Sequence, residues 1–124
     1  MKSIKIGNKL CDLHILENLK HGDFATERIF FLKSSKKCLR GNHAHKRCTQ
    51  IFYSLKGDIK ISIENKKGIK KIRLNEFKKI LRVPPLSWVR IEMSKGQLLM
   101  VICDKKYSKT EYIRDYKKFL KKIK

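Results

Sequence analysis

In Ile59-Lys60-Ile61-Ser62-Ile63, apolar and polar residues alternate without a break. An extended chain sends successive side chains to opposite faces, so this pattern puts every isoleucine on one side. A helix would scatter the same residues round its circumference, so the segment reads as a half-buried strand. It follows Lys56-Gly57-Asp58, a hairpin-type turn signal, which itself follows the apolar run from Gln50 to Leu55. Further strand-like stretches cover residues 2–6, 11–16, 28–32, 69–74, 86–91 and 97–103, with Asn65-Lys66-Lys67-Gly68 as a second turn. Residues 33–39 read as a polar loop. Many short strands at regular spacing predict an all-β sandwich or closed barrel, formed as one domain over residues 1–124.

The C-terminus has a different rhythm. Ser108-Lys109-Thr110-Glu111 fits a capping box, and Tyr112, Ile113, Tyr116, Phe119, Leu120 and Ile123 recur at helical spacing. These residues predict an amphipathic helix over about 108–123, packed on the strands, with Tyr112 and Tyr116 as packing residues. Its lysine-rich end suits the negative pole of the helix dipole.

Composition narrows the class. There is no apolar N-terminal run of signal-peptide type and no stretch of about 18 apolar residues, so a soluble cytoplasmic protein away from the membrane is expected. Cys11, Cys38, Cys48 and Cys103 are widely spaced with no C-x-x-C pair, which points to reduced thiols and not to a zinc knuckle or redox motif. The net charge of +21 raises the question of nucleic acid. Against specific nucleic-acid binding, the chain carries 25 Lys and only 7 Arg, with Lys spread over almost every segment; bidentate phosphate and guanine contacts favour Arg. The diffuse positive field would instead attract a small anionic substrate.

Chemistry concentrates in Arg40-Gly41-Asn42-His43-Ala44-His45-Lys46-Arg47-Cys48-Thr49-Gln50. Two histidines one residue apart on an extended segment share a face, and imidazole carries protons near neutral pH. Gln50 follows His45 by five residues and Gly57 follows Gln50 by seven. That spacing resembles the first motif of the cupins, in which two His and a Glu bind metal. Here the Glu position holds the neutral Gln50, a poor ligand, and no histidine follows His45. Two histidines alone leave a metal short of ligands, so the site reads as metal-free.

The chain resembles the nucleotide-sugar 3,4-ketoisomerases, small metal-independent cupins related to the WxcM-like proteins. The resemblance rests on Arg40-Gly41-Asn42-His43-Ala44-His45-Lys46 with Gln50 and Gly57, on Val83-Pro84-Pro85 leading to Trp88, and on Asp104, Tyr107 and Tyr112-Ile113-Arg114-Asp115-Tyr116 with Phe119. It implies a cupin-type jelly-roll barrel (double-stranded β-helix) and a homodimer with swapped N-terminal strands. It also implies an enzyme that moves the carbonyl of dTDP-4-dehydro-6-deoxyglucose from C4 to C3 without metal or other cofactor, in deoxyaminosugar synthesis.

Under that resemblance His45 is the proton shuttle through an enediol, and His43 its neighbour or an oxyanion donor. Arg40 holds the sugar or diphosphate, Lys46 and Arg90 are further anion-binding candidates, and Phe31 and Trp88 are candidate sugar contacts. Gln50 reads as an orienter of His45 or as a satisfied interior amide. Arg28 reads as a site-wall residue or a solvated strand end. His14 and His21 show no partner pattern, and no base-and-orienter arrangement marks Cys48 as a nucleophile. One departure is Phe30-Phe31, where relatives often carry a tyrosine pair, one of which contacts the sugar. The missing hydroxyl is the feature that favours a noncatalytic nucleotide-sugar-binding cupin as the alternative.

Overall fold

The computed structural model describes residues 2–7, 11–19 and 24–124; His21 lies outside them. Its elements are β1 (Lys2–Gly7), β2 (Asp12–Glu17), β3 (Arg28–Lys33), β4 (Cys38–His45), β5 (Gln50–Lys56), β6 (Ile59–Asn65), β7 (Gly68–Leu74), β8 (Ile80–Val83), β9 (Trp88–Met93), β10 (Leu98–Cys103), β11 (Tyr112–Ile113) and α1 (Tyr116–Ile123). All pairings are antiparallel. One sheet has the order β3-β10-β5-β8, a second the order β11-β4-β9-β6-β7, and β1-β2 form a separate hairpin.

The two larger sheets enclose the main core. Ile59, Ile61 and Ile63 of the alternating β6 face Phe52, Leu99 and Val101 of the opposite sheet, with Val89, Ile91 and Met93 beside them. Burying each such side chain stabilises the fold by about 1.5–3 kcal/mol. This is the expected jelly-roll class, with the hydrogen bonding split between two sheets and not continuous round a closed ring. The hairpin β1-β2 covers the outer face of the first sheet, where Leu16 packs with Ile51 and Ile102. His14 is not the partnerless residue its sequence context suggests, since its Nδ1 lies 2.7 Å from the Tyr53 hydroxyl.

Beyond shifts of one or two residues at strand ends, three features differ from the sequence reading. Residues 38 and 39 belong to β4 and not to a loop, because β9 supplies their ladder partners, Met93 and Glu92. β8 has no clear periodicity and owes its extended form to pairing with β5. The third concerns the helix, which begins at Tyr116 and not near Ser108. Ser108 makes no capping hydrogen bond, and Lys109–Glu111 form a single 3-10 turn. Glu111 is claimed elsewhere, by the backbone N–H groups of Arg47 and Cys48. The N-cap is Asp115, whose carboxylate accepts from the Lys118 N–H at 3.1 Å. From there Phe119 and its neighbours pack against Ala44, Trp88 and Ile113 on the outer face of the second sheet. The Tyr116 hydroxyl donates to Glu64 at 2.6 Å and ties the helix to β6.

Candidate active site

A cavity of about 450 Å³ opens between the two sheets and is lined from β3, β4, β5, β9, β10, β11 and the segments flanking β11. Strand parity decides which side chains reach it. On β3, Arg28, Phe30 and Leu32 point inward, while Ile29 and Phe31 are 51% and 56% exposed on the outside. On β9, Val89 and Ile91 face the cavity, and Trp88 and Arg90 face away.

β4 breaks strict parity at a bulge. Its register with β9 shifts between Gly41 and His43, and Gly41 and Asn42 both have left-handed backbones, with φ of 89° and 56°. A Cβ on Gly41 would lie 2.6 Å from the Val89 carbonyl oxygen, so only glycine fits this approach. The extra residue lets Arg40, before the bulge, and His43 and His45, after it, line the same cavity.

The two imidazoles stand edge to face at 5.2 Å between ring centroids. His43 Nδ1 donates to the Gly41 carbonyl at 3.0 Å, which leaves Nε2 of the neutral ring as an acceptor. Neutral His43 therefore cannot serve through Nε2 as the oxyanion donor that the sequence reading allowed. His45 is 5% exposed, and neither of its ring nitrogens has a hydrogen-bond partner among the described residues. Burial, then the neighbouring His43 and Arg28, push its pKa down from 6.5 to about 4, with Glu111 opposing. His43 is also lowered, first by burial and then by Arg114, with the Gly41 carbonyl opposing. Both rings are neutral at pH 7, the form in which an imidazole accepts a proton.

Cations surround the pair. Arg28, Arg40 and Arg114 all line the cavity. Arg28 donates to the Tyr112 hydroxyl from both Nη atoms at 3.5 Å and to the Cys103 sulfur, also at 3.5 Å. Burial works against its charge, yet these two acceptors outweigh it and raise its pKa above the ordinary value. Gln50, 4% exposed, donates from Nε2 to the same sulfur at 3.4 Å. It orients Cys103 and not His45. The hydrogen bond from the Cys48 thiol, followed by those from Gln50 and Arg28, depresses the Cys103 thiol against the effect of burial.

The cavity thus brings together His43, His45, Arg40 and Gln50 of the residues singled out from the sequence. It excludes four others. Phe31 and Arg90 sit on the wrong parity, with Phe30 and Val89 in their places. Trp88 is a core residue against Phe119, at 5.5 Å between centroids. Lys46 is exposed beyond the end of β4, with its backbone N–H on the Glu111 carbonyl.

Sequence reasoning left Tyr112, Arg114 and Tyr107 unassigned to the cavity they line. Tyr112 pairs directly across from His45, as Ile113 does from Ala44. Tyr112 and Arg114 are spaced two apart, as His43 and His45 are, and that period-two signal was hidden inside an apparent helical repeat. Among the described residues, no three His, Cys, Asp or Glu side chains come together in a way that could hold a metal ion. No helix among them is long and apolar enough to cross a membrane.

Comparison with known proteins agrees with this architecture. Residues 1–124 match the FdtA family, described as WxcM-like, C-terminal. The chain belongs to that family. It is 30% identical over 121 residues to the TDP-4-oxo-6-deoxy-alpha-D-glucose-3,4-oxoisomerase of Aneurinibacillus thermoaerophilus, covering 96% of this chain and 87% of that one. WlaRA, a TDP-fucose-3,4-ketoisomerase from Campylobacter jejuni, superimposes with a TM-score of 0.83 at 29% identity, over 100% of this chain and 93% of WlaRA. QdtA from Thermoanaerobacterium thermosaccharolyticum, a sugar 3,4-ketoisomerase solved in complex with TDP, gives 0.84 at 29% identity, over 98% and 90% of the two chains.

Proposed function

We propose that this protein converts a TDP-linked 4-keto-6-deoxy sugar into the corresponding 3-keto sugar, with His45 carrying the proton between the two carbons. The observation that carries the reading is His45 itself: a buried, neutral imidazole with both nitrogens free, facing a cationic cavity. The family membership and the activities named for its relatives support it.

The chemistry follows from the substrate. The C4 carbonyl acidifies the C3 proton, and neutral His45 removes it; with a proton gained at O4 this gives an enediol. The imidazolium then returns the proton at C4. General-base catalysis of this kind contributes about 100- to 10,000-fold. Arg28, Arg40 and Arg114 supply positive charge for the developing oxyanion and for the diphosphate, and one good oxyanion donor is worth about 3–4 kcal/mol. Neutral His43, with Nε2 as acceptor, takes a hydrogen bond from a sugar hydroxyl and orients the ring.

The direct test is incubation with TDP-4-keto-6-deoxyglucose in deuterated water, with NMR detection of the 3-keto product and of deuterium on the sugar. Conversion with label at C3 or C4 is expected. His45→Asn should cost at least about 100-fold in kcat with an unchanged circular dichroism spectrum. Turnover by that variant at the wild-type rate would remove His45 from the mechanism.

A second copy of the chain is part of this reading. β3 is an edge strand, and it exposes Ile29 and Phe31 side by side on its outer face, with Ile6 and Leu13 of the hairpin also exposed, at 58% and 52%. Exposed apolar residues beside an unpaired edge favour burial in a homodimer.

A further inference from the structure

Moving a carbonyl from C4 to C3 needs more than a carbon base. One proton leaves C3 and one arrives at C4; separately, O4 must gain a proton and O3 must lose one. His45 serves the carbon pair. The oxygen pair needs a second group that gives a proton and then takes one back. We propose that the Tyr112 phenol is that group: it protonates O4 as His45 removes the C3 proton, then recovers a proton from the O3 hydroxyl as His45 delivers its own to C4. This step rests on the ketoisomerase reading and assigns a second catalytic residue within it.

Position comes first. β11 pairs Tyr112 directly with His45 on β4. The ring centroids lie 4.4 Å apart, and the Tyr112 ring is 5.0 Å from that of His43. Tyr112 lines the cavity beside both histidines. A sugar with C3 at His45 therefore has O3 and O4, the oxygens on the two reacting carbons, beside the neighbouring phenol.

Proton direction comes next. A guanidinium can only donate, so in the 3.5 Å contacts from Arg28 Nη1 and Nη2 the phenol oxygen accepts. The phenol hydrogen is thereby left free for a partner other than Arg28. When it transfers, the phenolate that remains faces a guanidinium already in contact, which offsets the new charge with no rearrangement.

The other lining groups cannot fill the role. The arginines and the Gln50 amide supply hydrogen bonds but do not give up a proton near neutral pH. Neutral His43 has its N–H committed to the Gly41 carbonyl. Phe30 and Phe52 offer rings without hydroxyls, and Tyr107 is 61% exposed at the rim.

The steps balance. The start is phenol, neutral imidazole and 4-ketone. The intermediate is phenolate, imidazolium and neutral 3,4-enediol, after C3–H breaks and O4–H forms. The end is phenol, imidazole and 3-ketone, after O3–H breaks and C4–H forms. No oxidant, reductant or co-reactant is consumed.

Tyr112→Phe keeps the ring and removes only the hydroxyl. With TDP-4-keto-6-deoxyglucose in deuterated water, two rates are measured: conversion to the 3-keto sugar and exchange of the C3 hydrogen. Conversion should fall about 100- to 10,000-fold, and the ratio of exchange to conversion should rise at least about tenfold, because His45 still labels C3 in substrate that reverts. TDP affinity and the circular dichroism spectrum should be unchanged. A packing role for the phenol would lower both rates in step. Exchange and conversion falling in proportion, or conversion staying within about fivefold of wild type, overturns the proposal. Should Tyr112→Phe fail to fold, Arg28→Met applies the same readout: the ratio rises if a phenolate needs that cation, and an unchanged ratio overturns the assignment. Wild-type protein that neither converts nor exchanges the sugar refutes the ketoisomerase reading itself, a result distinct from an active Tyr112→Phe enzyme.

Discussion

Lowering the pH tests the depressed basicity of His45, because the structure sets where activity should fail. A free imidazole titrates at 6.5, whereas burial, His43 and Arg28 bring His45 to about 4. At pH 5.5 a base with the ordinary value would be about 9% neutral, and one at about 4 would be about 97% neutral, a tenfold difference in competent enzyme. The measurement is kcat/KM for a TDP-4-keto-6-deoxy sugar between pH 4 and pH 8, since kcat/KM reports the pKa values of the free enzyme. Activity should hold nearly flat from pH 8 to about pH 5 and decline below that. His43 is depressed as well, first by burial and then by Arg114, so any break it adds also falls below 6.5.

The same group acts on stability, and the sign is definite. His45 binds its proton less readily in the folded state than in the unfolded chain, so the unfolded chain takes up protons first as the pH falls. The stability is fully present above 6.5 and is lost between 6.5 and about 4, where it amounts to about 3 kcal/mol. Glu111 pulls the same way below the ordinary carboxylate range: burial favours its protonated form, but the backbone N–H groups of Arg47 and Cys48 outweigh that and lower its pKa. Circular dichroism at each pH separates the catalytic limb from unfolding. An acid limb centred at 6.5 or above, in protein that is still folded, would refute the assignment of His45 as a desolvated base.

Glu111→Ala should lower stability by about 3 kcal/mol, read as a fall in the urea midpoint, because it leaves the buried N–H of Cys48 and that of Arg47 without their acceptor; a change below about 0.5 kcal/mol would place Glu111 among ordinary surface residues. In light scattering, the protein should run at twice its 14.7 kDa chain mass, and Phe31→Asp should shift it toward the monomer without altering the circular dichroism spectrum. A single-chain mass for wild type would refute the homodimer.

The residues that sequence placed correctly share a property: their signals are local. Alternation in β6, the turn at Gly57 and the His43-x-His45 spacing all act within a few residues, where strand parity is fixed by covalent geometry. Local pattern failed where a segment's partner lay far along the chain. The Ser108–Glu111 box obeys every local rule for a helix start, yet Glu111 is drawn to backbone donors at Arg47 and Cys48, more than 60 residues away. Tyr112 and Ile113 fit a helical repeat equally well until β4 offers them an edge to pair with.

By itself, then, the amino-acid order determined an all-β chain with two histidines facing one way, because extended backbone alternates whatever surrounds it. Tertiary structure alone decided which way counted as inward. It chose Phe30 over Phe31 and Val89 over Arg90, since an interior exists only once two sheets have closed over one face. It set Tyr112 opposite His45 through a pairing between distant strands. It also made His45 a weak base, because burial between the two sheets is the largest cause of its lowered pKa, ahead of the charge of His43 two residues away.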